Sequence, residues 1–402
     1  MTDPANPLLT SSTLPYGLPD FGAIRPEHYL PAFDAAFAEH LTEIAAITRV
    51  RAMPTFENTL VPLERSGVLL DRVAHAFYTV SSADATPEIQ EIDETLAPLM
   101  SAHQDAVRLD SQLYWRIKTV HDQLDDLPDL SPEDRYLVER HFREMTHAGA
   151  GLADGEKARL SALNQQLSTL TALFEKNLLA DTNDLAVVFE DAVELEGLSD
   201  GELSAARRAA LDRGLSAGYL VSLPLFTGHP YLSSLTNRDS RRRILDASRA
   251  RGSRGNANDN RDVLSEIVRL RAERAAVLGH TSHAAYITAD ETAGTPDAVS
   301  ELLHRLAIPA AANARAEQEA LQRIIDETEP EPFTLEAHDW AFYTEKLRTA
   351  QYDIDRAALR PWFEAERVLR DGVFFAASQL YGVTFLERED LAGYHPGARV
   401  FE

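Results

Sequence analysis

Residues Pro26 to Ile47 read PEHYLPAFDAAFAEHLTEIAAI. Tyr29, Phe33, Phe37, Leu41 and Ile44 recur every three or four residues, which at the helical period builds one apolar stripe. The pattern predicts a helix that packs by one face. Outward from it the same period returns. From Leu60 to Val80 the stripe is Leu63, Leu70, Val73 and Phe77, and further helices are predicted over Pro87 to Asp122, Pro132 to His147 and Glu156 to Leu179. Ser131 before Pro132 is a helix start, because its hydroxyl can accept from amides that have no helical partner.

The period then shortens. Leu185, Val187 and Phe189 alternate with Ala186, Val188 and Glu190, as in a half-buried strand. Ser199 and Glu202 form a capping box that opens a helix, and Gly214 closes it. Tyr219, Val221 and Leu223 alternate again before Pro224. Helices resume over Arg238 to Arg251, Asn260 to Leu278 (with Val263, Leu264, Ile267 and Leu270 inward) and Pro296 to Asp326. The turn-rich GSRGNANDN segment separates the first two, and TEPEPF, near Glu329 to Phe333, reads as a linker or exposed turn. Helices around Trp340 to Arg348 and Phe363 to Tyr381 follow. The ending alternates like strands, and Arg399 to Glu402 reads as a strand just begun, without a partner, so the chain is expected to be cut short there. No internal repeat is visible.

The 402 residues carry 44% hydrophobic side chains, enough for a buried core, and a formal net charge of -25. Such a surface repels nucleic-acid phosphates and anionic lipid, so neither partner is expected. There is no cysteine, which removes disulfides, thiolate metal sites and cysteine nucleophiles. Neither a secretory leader nor an apolar run of membrane-spanning length is apparent, and the cytoplasm is the expected compartment.

None of the 13 histidines precedes a glutamate, so the His-Glu-x-x-His pairing that places two imidazoles and a base on one helix face is missing. His280 with His283, and His141 with Glu144, have spacings that could supply two metal ligands each, but no third is placed beside them. His338-Asp339 beside Trp340 could hold a charge pair, or simply start a helix. No Gly-x-Ser-x-Gly elbow occurs, and Gly252-Ser253-Arg254-Gly255 follows a helix and lacks a P-loop ending, so it reads as a connecting turn. Residue chemistry alone names no catalytic residue and no metal ligand.

Several segments, in order, resemble the bacterial peptidyl-dipeptidases (dipeptidyl carboxypeptidases) of the thimet oligopeptidase family of zinc metallopeptidases. They are Asn6 to Phe37; Met53-Pro54-Thr55-Phe56-Glu57-Asn58-Thr59 with Glu64, Ser66 and Gly67; and Asn260 to Tyr286. Asp339 to Tyr343, Leu359 to Glu364 and Tyr394 to Val400 complete the series. The resemblance implies a mainly α, multi-helix scaffold with a few short strands, part of a two-lobed peptidase with a deep channel for short peptides. It also implies zinc held by residues beyond this sequence, so zinc belongs to the parent family and none is expected on this chain. Two regions are expected: 1–184, helical, and 185–402, helical with strands at about 185–195, 218–223 and 382–402. The chain is expected to be a monomer that is inactive alone. Alternatives are part of an oligopeptidase A-like endopeptidase and a non-catalytic helical module that holds peptides.

Overall fold

The computed structural model of the chain describes residues 6–223, 229–352 and 356–402. Pro224, expected to end the second strand, lies outside them. The longer helices are α1 (Tyr29–Thr48), α2 (Val68–Ala83), α3 (Pro87–Arg108), α4 (Ser111–His121), α5 (Pro132–Ala148) and α6 (Asp154–Asp184). After strand β1 (Val187–Phe189) come α7 (Asp200–Asp212), strand β2 (Tyr219–Val221), α8 (Arg238–Arg249) and α9 (Arg261–Val277). Then follow α10 (His283–Thr288), α11 (Pro296–Thr328), α12 (Trp340–Tyr352) and α13 (Phe375–Tyr381). The fold is mainly α. It divides into two compact units, one formed by Met1–Leu173, Glu266–Tyr286 and Val383–Glu402, the other by Phe174–Ser265 and Ile287–Gly382.

In the first unit, Tyr29, Phe33 and Ala36 of α1 pack against Val73 and Phe77 of α2 and Ile89, Ile92 and Leu96 of α3. Phe77 is the hub: the Tyr29 and Phe33 rings meet it edge-on at 5.1 and 5.7 Å. Leu41 does not share this face and is exposed. Three successive four-residue steps from Tyr29 each overshoot the turn, and together carry Leu41 about 120° off the stripe. The buried row passes instead through Ala32, Phe33, Ala36, Ile44 and Ile47.

A second core in the same unit gathers Ile44, Ile47, Leu60, Leu113, Ile117 and Val138, with Leu63 packed at its side. The predicted helix from Leu60 to Val80 is therefore broken: Gly67, at φ +79°, parts Leu63 from the Leu70–Phe77 stripe. The expected helix from Pro87 to Asp122 is also two, because the Asp110 carboxylate accepts the Leu113 amide at 2.7 Å and caps a new start. Ser131 caps α5 through the Asp134 amide at 3.1 Å, as its sequence predicts. At the far end, Glu402 and Leu386 exchange backbone hydrogen bonds at 2.8 Å in both directions, and Phe401 bridges Glu387. The last residues, expected to be unpaired, are thus paired. Over 382–402 the ladder amounts to that isolated bridge, not a strand.

In the second unit, β1 and β2 pair antiparallel, Val187 opposite Val221 and Phe189 opposite Tyr219. Val187 and Phe189 are buried and Val188 is exposed, the alternation read from the sequence. Each strand is three residues long, shorter than expected. The predicted capping box is present: Ser199 Oγ accepts the Glu202 amide and Glu202 Oε2 accepts the Ser199 amide at 2.8 Å. Gly214 ends α7 at φ +83°. On α9, whose residues from Glu266 onward belong to the first unit, Ile267 and Leu270 are buried but Leu264, expected inward, is half exposed, one turn from exposed Val268 on another face.

Gly197, in the second unit, has φ +102°, and a Cβ there would sit 2.0 Å from the Ser234 carbonyl oxygen. The approach is held by the Thr236 amide donating to Glu196 O at 2.9 Å. Gly197→Ala is expected to cost about 2–3 kcal/mol, through both clash and left-handed backbone. Urea unfolding measures it, and an unchanged midpoint would show that this loop moves aside at no cost.

Candidate functional site

The described residues contain no group of three or more His, Asp or Glu placed to hold a metal ion. The pairs suggested by spacing are separated by better partners. His141 Nε2 meets Glu64 at 2.6 Å rather than Glu144, and Glu144 pairs with Arg140. His280 and His283 both flank Tyr286, whose ring stacks flat on His147 with centroids 4.2 Å apart. Burial, then the charges of Arg274 and Arg271, lower the pKa of His283.

His338-Asp339 belongs to a buried ion cluster. Asp339 is fully buried immediately before α12. Its carboxylate accepts from Arg238 Nη2 at 2.9 Å and Arg241 Nη2 at 2.8 Å, and from the Glu336 amide at 3.2 Å. Arg241, itself buried, also donates to Leu235 O and Thr236 O at 2.8 and 3.1 Å. Phe333 and Phe342 cover the two guanidiniums at 3.9 and 4.4 Å. Burial pushes the Asp339 carboxyl up, but the bonds from Arg238 and Arg241 outweigh it and hold it below the usual range. His338 sits beside the carboxylate, and desolvation lowers its pKa. Asp339 therefore starts a helix and holds a charge pair at once.

The GSRG segment is a connecting turn, and a buried carboxylate shapes it. Asp181, near the end of α6, accepts the Gly252 amide at 2.7 Å, Arg254 Nε at 2.9 Å and Asn256 Nδ2 at 2.9 Å. Asn260 closes the loop by donating to Phe174 O at 2.8 Å. The Gly252 and Gly255 amides and the Arg254 guanidinium are bonded to carboxylates of the protein itself, which fits a connecting turn.

One polar chain in the first unit has no counterpart in any sequence motif. His40 of α1 and His103 of α3 lie Nδ1 to Nε2 at 2.9 Å, and His40 Nε2 lies 3.3 Å from Ser66 Oγ. The Ser66 hydroxyl donates to Leu63 O at 2.7 Å. Its proton being spent, Ser66 accepts from His40 Nε2–H; His40 Nδ1 is then bare and accepts from His103 Nε2–H. This order leaves His103 Nδ1 buried without a partner. It also makes His40 a donor toward Ser66 and not a base, so the serine is not activated. Beside it, Glu43, Glu57, Asn58, Arg65 and Ser66 line a shallow surface hollow with Val50 and Val61. The sequence signal for this pair was faint: both histidines continue a helical apolar row, His40 after Phe33 and Ala36, His103 after Ile92 and Leu96. Their meeting, 63 positions apart, has no local trace.

Residues 231–402 match the family model described as Peptidase family M3. Over 99% of its length the chain is 37% identical to the dipeptidyl carboxypeptidase of Escherichia coli and 38% identical to that of Salmonella typhimurium. It is 30% identical, also over 99%, to oligopeptidase A of Salmonella typhimurium. The chain resembles a bacterial dipeptidyl carboxypeptidase. It spans 58% of the length of each of these three relatives. The resemblance carried by the quoted segments therefore extends along nearly the whole chain.

Two measurements check these networks. Asp339→Asn leaves two guanidiniums in the second unit short of their counter-charge, an expected loss of about 3–5 kcal/mol; denaturant unfolding at pH 7 reads it, and a change under about 1 kcal/mol would show the cluster adds little. His103 is held down to about 4 by burial and then by His40, against an ordinary 6.5. A lowered imidazole pKa means the unfolded state takes the proton first, so its contribution is full above pH 6.5 and is lost as pH falls toward 4. The loss is on the order of 3 kcal/mol. Comparing the pH dependence of unfolding for the native chain and His103→Gln isolates it, and parallel profiles would exclude the assignment.

Proposed function

We propose that this chain is one part of a zinc peptidase that acts on short peptides and releases dipeptides from a free C-terminus. The observation that carries the reading is the 37–38% identity with two dipeptidyl carboxypeptidases over 99% of the chain, against 30% with oligopeptidase A over the same span. Zinc in such enzymes polarises a water for attack on the scissile carbonyl and stabilises the charge that develops. The described residues do not offer a site that fits the ion, since no three candidate ligands converge. No step through zinc is therefore assigned to them.

What this chain contributes is support. Its helices are built on aromatic cores and on buried ion clusters whose carboxylates are bonded internally, as at Asp181 and Asp339. The surface charge of -25 suits neutral or basic peptides and disfavours nucleic acid. No described helix is long and apolar enough to cross a membrane. We place the protein in the cytoplasm, as a monomer, with short peptides as partners.

The test joins this chain to the segment by which the Escherichia coli dipeptidyl carboxypeptidase exceeds it, and follows products by mass spectrometry. Chelator-sensitive release of C-terminal dipeptides is expected from the joined protein, with no stoichiometric zinc and no cleavage from the 402 residues alone. Internal cuts with no dipeptide release would favour the oligopeptidase A-like alternative. Peptide binding at micromolar strength by the chain alone, with no cleavage by either protein, would favour a binding module.

A further inference from the structure

The second unit carries an apolar surface that nothing within the described residues covers. In α11, every residue from 301 to 319 is exposed. That stretch is not polar: Leu302, Leu306, Ala310 and Ala314 recur every four residues with Leu303 flanking the row, and Ile308, 76% exposed, lies on the opposite side of the helix. Only beyond it does the helix pack, through Leu321 and Ile325 against Leu335 and Tyr343. An isolated helical segment of this length is marginal in water, and most helical stability comes from covering an apolar face. The same unit exposes a second set: Trp362 and Phe363 at 65% and 70%, and Phe375, Leu380 and Tyr381 between 60% and 74%. Single exposed apolar residues are ordinary; a periodic row and a run of aromatics in one unit mark an interaction surface.

We propose that α11 from Leu302 to Ala314, together with Trp362, Phe363 and the exposed residues of α13, forms the docking surface for a polypeptide equivalent to the remaining 42% of the relatives' length. This rests on the peptidase reading above. Two facts favour that occupant over a second copy of the chain. The relatives extend well beyond the span this chain matches, and the second exposed set falls inside the segment that matches the peptidase family model. Two copies would also bring together surfaces of charge -25 each, which opposes self-association at low salt.

The experiment co-expresses the 402-residue chain with the segment of the Escherichia coli dipeptidyl carboxypeptidase that it does not span. Complex formation is read by light scattering, and amide exchange is compared with that of the chain alone. Expected are a one-to-one complex and exchange slowed by about tenfold or more over 302–314 and 362–381. Leu303→Asp with Leu306→Asp is expected to abolish the complex and leave the circular dichroism of the chain unchanged, since both residues are exposed. No complex, or protection elsewhere only, overturns the proposal. A homodimer of the chain alone protecting the same segments overturns it in favour of a second copy. Protection without peptidase activity supports the surface and counts against the functional reading, whereas activity without this protection does the reverse.

Discussion

Each helix of this protein has one apolar row to hide, and where that row finds cover decides what is rigid in each unit. In the first unit the α1 row finds Phe77 and its neighbours, and the Tyr29 and Phe33 rings each lie within 6 Å of the Phe77 ring. In the second, the far end of α11 finds Leu335 and Tyr343, while its residues 301–319 all stay exposed among the described residues. The same physics gives a core in one place and an uncovered face in the other.

Polar groups follow a companion rule: what is buried must be matched. Arg116, almost fully buried, is held by neutral oxygens, Val50 O at 2.9 Å, Asn58 Oδ1 at 2.6 Å and Thr59 Oγ1 at 3.0 Å, and only its Nε is left without a partner among the described residues. It ties the segment around residues 50–59 to α4. Asp181 and Asp339 are matched by arginines and amides and tie down the loops at 252–260 and 333–339. Removing one partner leaves a bare ion in a poorly polarisable interior, so these residues weigh far more than surface pairs. The His40–His103 pair is the exception that stays neutral: a single proton order satisfies everything except one ring nitrogen.

This division also explains why residue chemistry alone named no active site. The groups that look reactive in the sequence (His338-Asp339, His141, the GSRG turn) are spent on folding. The functional reading rests on similarity spread along 99% of the chain.

Periodicity by itself determined the helical class, the strand alternation at Val187 and Phe189, and the caps at Ser131 and Ser199, because each is a contact between residues fewer than five apart. It missed where helices break: the stripes run through Gly67 and Asp110, and only a left-handed turn against His40 and a carboxylate turned onto the Leu113 amide stop them. It misplaced Leu41 and Leu264, since a four-residue step drifts off a 3.6-residue turn and the neighbouring helices choose the buried face. Everything joined across long separations was left to tertiary structure: Asp339 with Arg238 and Arg241, Asp181 with Arg254, His40 with His103, and the final residues with Leu386. Spacing along a chain constrains only what lies within a turn or a hairpin. Which distant charge meets which is set by how the apolar rows dock, and the ion pairs form where that docking has already excluded water.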